Sequence, residues 1–365
     1  MRILFPPGVS AKARAQGHHG LVARNRLCPP PRVVARNPGR PAIATEPVCI
    51  GRSDLVVNPI GVGTWQWGDR RYWGYGIDYD AEDIAAAFDA AIAAGLNFFD
   101  TAEIYGRGES ERLLGRQLER SGACVAVASK YMPLPNRFSA AAVAGAIDAS
   151  RRRLEVRTID LYQVHWPFSL LRKGVLLREL ARAVEGGLIR WVGVSNYGAG
   201  RLRRAARLLA SYGVPLVANQ VNYSLLNRAP EINGVIAACR ELDITLIAYS
   251  PLAQGLLTGK YGPGKRPDGA GKTVSKFRGH DPVRVEPVVR ALREIGLQHQ
   301  KSPAQVALNW LIRQPGVVAI PGVKNAAHAR SNAGAYGWSL SDAEAQRLNE
   351  VSAPWRKRGL LDRLL

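Results

Sequence analysis

The sequence predicts a TIM-type (β/α)8 barrel with an N-terminal β-hairpin plug and extra C-terminal helices. Three observations carry that prediction. From about residue 58, short β-branched runs alternate with longer amphipathic stretches, the pattern of a parallel α/β fold. The runs number eight, as a closed barrel requires. Polar residues end six of them: Asp100, Lys130, His165, Ser195 with Asn196, Gln220 and Tyr249 each stand at or just beyond the C-terminal end of a different run. Barrel enzymes keep their active sites on that face, whereas an open sheet would concentrate such residues at one switch point.

The strand candidates begin near Ile60, Leu96, Cys124, Ile159, Ile189, Pro215, Ile244 and Val317. Helical periodicity falls between them at 81–94, 109–120, 139–154, 177–185, 199–209 and 230–242, with two further helices at 283–297 and 303–313. Residues 48–59 read as a hairpin turning at Gly51 to Asp54, placed as a plug under the barrel. The stretch 252–281 is too long and glycine-rich for an ordinary connection and reads as a mobile loop over the site. The domain reading is a leader over 1–45, a barrel over 46–355 and a tail over 356–365, whose WRKRGLLDRLL either docks on the barrel or mediates self-association.

Net charge is +21, and its distribution argues against a nucleic-acid surface. Residues 1–45 hold seven Arg and one Lys with no acid, an Arg-rich, acid-free N-terminus that resembles a plastid or mitochondrial transit peptide. Chloroplast import is the expectation, with mitochondrion or cytoplasm as alternatives. The remaining +13 suits a partner carrying several phosphates. No apolar run approaches the ~20 residues needed to span a bilayer. Of the four cysteines, none has CxxC spacing, so neither a zinc site nor a disulfide framework is expected, and Cys124 and Cys239 read as buried, inert thiols. The expected partner is a small carbonyl compound, with the chain a monomer or weak homo-oligomer.

The strongest local signal is Asp100-Thr101-Ala102-Glu103-Ile104-Tyr105-Gly106 after an apolar run. With Lys130 and His165 at neighbouring strand ends, a carboxylate, a phenol, an ammonium and an imidazole converge. DTAEIYG, SK, DLYQVHWP, VGVSNY, NQVNYS, AYSPLAQGLLTGKY and IPGVKN, in this order and spacing, are similar to motifs of the aldo-keto reductase superfamily, from about Val48 to Val351. WQWGD, NQVNYSLLNRAPE and AGAYGWSL resemble its plant and algal chloroplast-type members. The resemblance implies NADPH-dependent reduction of aldehydes or ketones. Two alternatives accompany it: pyridoxal reduction, and a cofactor-binding regulatory subunit like potassium-channel β subunits.

Carbonyl reduction needs a hydride on carbon and a proton on the developing alkoxide. Tyr105 is the expected acid. A free phenol has a pKa of about 10, which a neighbouring Lys130 is expected to lower, with Asp100 holding the ammonium and His165 orienting the carbonyl. Ser195, Asn196 and Gln220 suit the nicotinamide carboxamide, and Tyr249 offers a stacking face. Thr64, Ser250, Leu252, Gln254 and Lys260 are assigned to the rest of the cofactor, as are Gly322 and Lys324 ahead of a helix start near Asn325. His328 and Asn332 are assigned there too, although Ser331 stands where many members carry Glu, which weakens an adenine contact. Trp65 and Trp166 read either as walls for an apolar or aromatic substrate or as rim packing. No GxGxxG occurs, and GAGKT at 269–273 lacks the preceding strand and glycine of a phosphate loop. No metal is expected.

Overall fold

The computed structural model describes residues 46–261 and 282–357. The leader, residues 262–281 of the predicted mobile loop with the GAGKT stretch, and the last eight residues lie outside the described residues.

A two-stranded antiparallel hairpin comes first, β1 (Val48–Cys49) and β2 (Val56–Val57), with Val48 opposite Val57. Eight strands then form one parallel sheet in chain order: β3 (Val62–Gly63), β4 (Phe98–Asp100), β5 (Ala126–Tyr131), β6 (Ile159–Val164), β7 (Ile189–Ser195), β8 (Leu216–Asn222), β9 (Thr245–Tyr249) and β10 (Val317–Ile320). Parallel bridges Ile60–Ala319 and Gly63–Gly322 join the first strand to the last. The amides of Gly61 and Gly63 donate to Ala319 and Pro321 at 2.8 and 2.9 Å, so the sheet is a nearly closed barrel. All eight strands overlap the sequence expectation.

The helices are α1 (Arg70–Trp73), α2 (Ala81–Ala93), α3 (Glu109–Ser121), α4 (Ala140–Leu154), α5 (Lys173–Glu185), α6 (Ala199–Ala210), α7 (Val235–Glu241), α8 (Pro282–His299), α9 (Pro303–Ile312), α10 (Ala326–Ala333) and α11 (Asp342–Val351). Their starts follow local chemistry. Asp80 caps α2 and closes a capping box with Asp83; Ser302 does the same for α9 with Gln305. Asn325 caps α10 through the amide of His328 at 3.0 Å. Two expectations shift. The helix expected over 230–242 begins only at Val235, because Pro230 sits in a single 3-10 turn and Gly234 at φ 84 breaks the path. Helix α5 starts four residues early, at Lys173, without a side-chain cap. No described helix is long and apolar enough to cross a membrane.

Two apolar cores divide the strands by their alternation. Residues pointing outward, such as Phe99, Val127, Tyr162 and Leu246, pack with the helices. Inward residues Phe98, Ala128, Leu161, Ala218, Ile247 and Ile320 fill the barrel, where Ile50, Leu55 and Val57 of the hairpin join them. The hairpin therefore plugs the base, as expected. Each fully buried side chain of this size contributes about 1.5–3 kcal/mol. Of the cysteines, Cys239 is buried, as expected, with its thiol pushed up to about 12 by desolvation, whereas Cys124 is exposed, against the expectation of a buried thiol.

Candidate active site

Side chains alternate along a strand with period two, so the residue two positions beyond an inward apolar residue also faces inward, one layer higher. Phe98 leads to Asp100, Ala128 to Lys130, Leu161 to Gln163 and His165, Ala218 to Gln220, and Ile247 to Tyr249. The apolar floor thus becomes polar at its C-terminal rim. Above it lies a cavity of about 930 Å³, within the range that holds a cofactor and a small ligand.

Every residue assigned from sequence lines that cavity except Lys130. Lys130 is fully buried beneath it, where Nζ donates to Asp100 Oδ1 and, at 2.7 Å, to the Thr101 carbonyl. Its ammonium sits 5.0 Å from the centroid of the Tyr105 ring. The His165 ring meets the same tyrosine edge-on at 5.7 Å. Asp100, Tyr105, Lys130 and His165 therefore converge on one point of the cavity floor.

Electrostatics there depart from the expected direction for Tyr105. Burial, then the negative charge of Asp100, holds its phenol well above the ordinary value of 10.0, so Lys130 does not lower it. The reason lies in Lys130's own partners: Asp100 neutralises the ammonium, and the remaining desolvation acts on the phenol unopposed. Burial lowers the Lys130 pKa while Asp100 raises it. His165 is pushed down to about 3 by desolvation and by the Lys130 charge, and its Nδ1 is buried with no hydrogen-bond partner among the described residues. The floor presents a neutral phenol and a neutral imidazole.

Several assigned polar groups are engaged within the protein. Gln220 Nε2 donates to Asp100 Oδ2 at 2.9 Å, and Gln163 Nε2 donates to the same oxygen at 3.1 Å. Ser195 Oγ donates to the Gln220 carbonyl at 2.9 Å, and Asn196 is held by Tyr249 Oη on its Oδ1 at 3.1 Å. The Thr64 hydroxyl, fully buried, donates to the Asp100 carbonyl at 3.0 Å. Gln163 and Thr101 went unrecognised in the sequence, although Gln163 was readable as the inward residue two before His165.

One wall is aromatic. Trp65 stacks on Tyr72 at 5.1 Å and meets Trp73 edge-on at 5.4 Å, 6.2 Å from the Tyr105 ring; Trp166 also lines the cavity. Tyr72 and Trp73 were not singled out, because the short helix α1 that carries them has no periodicity to read.

The far end is cationic. Lys260, Lys324 and His328 line it, and the His328 pKa is lowered by desolvation and then by Lys260 and Lys324. Lys324 Nζ donates to the Trp73 carbonyl at 2.7 Å and lies 4.5 Å from the Tyr79 ring centroid. Mutually repelling cations at the edge of α10 favour an anion. Beside them Ser250, Ala253, Gln254 and Gly255 all adopt left-handed backbone, turning the chain after β9 around the cavity. A Cβ at Gly322 would stand 1.9 Å from Gln66 Nε2, so only glycine lets that side chain cross here. The aromatic wall, polar floor and cationic end fit an elongated dinucleotide.

Comparison with known proteins agrees with this geometry. The aldo/keto reductase family matches residues 59–353. A chloroplastic pyridoxal reductase of Arabidopsis thaliana is 40% identical over 307 residues, covering 80% of this chain and 83% of its own. An aldo/keto reductase from Klebsiella pneumoniae, solved with NADP and acetate, superposes with a TM-score of 0.68 at 27% identity, covering 86% of this chain and 98% of its own. The glycerol dehydrogenase of Gluconobacter oxydans gives 0.73 at 25% identity, covering 86% and 97%.

Proposed function

The chain belongs to the aldo/keto reductase family, and on that premise we propose that it reduces aldehyde or ketone carbonyls to alcohols with Tyr105 as the proton donor. It is an NADP-dependent oxidoreductase, and NADPH, when bound, supplies the hydride to the carbonyl carbon.

The observation that carries the reading is the convergence of Tyr105, His165 and the Lys130–Asp100 pair at the floor of the cavity. A phenol held above its ordinary pKa is fully protonated at neutral pH, so Tyr105 carries the proton that the developing alkoxide, a strong base, takes up. Lys130 faces the Tyr105 ring, and its ammonium, neutralised by Asp100, leaves the phenol protonated until the alkoxide develops. His165, neutral, donates or accepts one hydrogen bond at the substrate oxygen and fixes its orientation. Asp100 holds Lys130 charged.

Gln220 keeps its Oε1 as an acceptor for the carboxamide, its Nε2 being on Asp100, while Asn196, fixed by Tyr249, borders the same region. Lys260, Lys324 and His328 receive phosphate, which is why NADPH is preferred to NADH. The acid-free leader and the chloroplastic Arabidopsis relative favour import into a chloroplast. Pyridoxal is a specific candidate substrate, because the wall of Trp65, Trp73 and Trp166, with Tyr72 stacked on Trp65, suits a flat heteroaromatic aldehyde and that same relative carries the activity in its name.

The test is NADPH consumption by the purified chain against small aldehydes, quinones and pyridoxal, with Tyr105→Phe beside it. Turnover lost in the variant while cofactor binding persists is expected; equal rates in the two proteins overturn the assignment. Tight cofactor binding without turnover of any carbonyl would point instead to a regulatory subunit.

A further inference from the structure

Away from the barrel mouth, a second cavity of about 330 Å³ opens on the outer surface, lined from the turn at Ala229–Glu231, α7, α9 and α11. Four arginines line it, Arg228, Arg240, Arg313 and Arg356, against a single carboxylate, Glu231. Charge excess alone is common on a basic protein. The pattern of hydrogen bonding here is less so.

The side-chain acceptors are already engaged. Glu231 accepts from Arg228 at 2.6 and 2.8 Å, from Tyr223 Oη at 3.1 Å, and pairs with Arg356 at 3.1 Å. Gln314 is hydrogen-bonded to Tyr223 Oη at 2.8 Å, and Asn349 Oδ1 accepts from the Trp310 indole at 3.0 Å. Two donors facing the cavity are not engaged. The amide nitrogen of Asn349 has no partner among the described residues, and neither has the guanidinium of Arg240. Arg313 uses Nε on the Leu340 carbonyl and Nη2 on Asp342, leaving Nη1.

The base of the cavity is rigid. Arg228 is 5% exposed, stacks 5.3 Å over the Trp310 ring and donates to the Asn349 carbonyl and Ser352 Oγ at 2.7 and 2.9 Å. Glu231 is thereby fixed and cannot swing out to neutralise Arg240.

We propose that this cavity binds a small phosphate-bearing anion, held by Arg240, Arg313 and Arg356 with the amide of Asn349. Guanidinium groups match phosphate oxygens in pairs, and a cavity of this size takes a phosphate ester with a short carbon chain. Such a ligand would tie α7, α9 and α11 together and stabilise the fold by mass action. The site is separate from the cavity at the barrel mouth and its occupancy does not depend on the reductase reading.

The probe is inorganic pyrophosphate, titrated by calorimetry into the full chain saturated with NADP+, so that phosphate positions at the barrel mouth are filled. One site per chain is expected, weakened about tenfold or more in Arg240→Glu, the loss of one charged hydrogen bond with added repulsion, and unchanged in Arg112→Met on the exposed face of α3. Arg240 is exposed and has no partner among the described residues, so the variant should fold; Arg240→Gln, with an intermediate loss, checks that charge is the cause. No binding to the NADP+-saturated protein at physiological ionic strength, or equal affinity in Arg240→Glu, overturns the proposal.

Discussion

Gln220 reaches across the barrel to Asp100, its Nε2 2.9 Å from Oδ2, and so belongs to the framework that orients the Lys130 ion pair. Removing it leaves a buried carboxylate oxygen with only Gln163 as donor. Gln220→Leu should lower stability by about 1–3 kcal/mol, read as a shift of the urea midpoint at constant slope. A variant as stable as the parent would show that Asp100 does not need this bond.

Tyr105→Phe should reduce kcat by about 10²- to 10⁴-fold and leave the dissociation constant for NADPH within about twofold, because the lost hydroxyl belongs to proton transfer. Fluorescence titration of the cofactor separates the two effects.

The pH dependence follows from two displaced groups. Tyr105 titrates well above 10.0, so reduction should show no alkaline loss attributable to this phenol below about pH 10. His165 acts on stability. Its pKa is about 3 folded against 6.5 unfolded, so between those values the unfolded chain binds the extra proton, and acidification favours unfolding. The thermal midpoint should fall as pH drops from 6.5 towards 3, and fall less steeply in His165→Gln.

Glu111 is fully buried and accepts from Ser129 Oγ at 2.5 Å and from Arg153 Nε at 2.6 Å. Arg153→Met would strand that carboxylate and should cost about 3–5 kcal/mol, measured by chemical unfolding, whereas Arg112→Met, exposed on the helix α3 that carries Glu111, should be near neutral.

At the cationic end, Lys324→Ala should weaken NADPH by about 10- to 100-fold, the range for a lost charged hydrogen bond, and weaken NADH far less. A uniform loss for both cofactors would place Lys324 on a phosphate that they share.

The barrel was legible because its signals are local and repeated: β-branched runs recur at each unit, polar residues end six of the eight, and N-caps such as Asp80 and Asn325 mark several helix starts. Helix α11 was equally readable in its Ser341–Glu344 capping box but was not assigned from sequence. What sequence could not supply was competition between neighbours. Nothing in the chain order shows that Gln220 faces Asp100 from 120 residues away, or that Lys324 is tied to the Trp73 carbonyl. The direction of the Tyr105 shift failed for the same reason. A lysine beside a phenol lowers its pKa only if no carboxylate claims the lysine first, and burial of all three is a property of the closed floor.

The hairpin at the base of the barrel also limits how this protein can be trimmed. Ile50, Leu55 and Val57 are embedded among residues of the barrel interior, so a protease that severs the chain ahead of Glu46 leaves the stopper in place. A cut past Gly51 would detach Ile50 and open the barrel's underside to water. Any trimming of the N-terminus therefore has a firm downstream boundary, set by packing at the end of the molecule opposite its cavity.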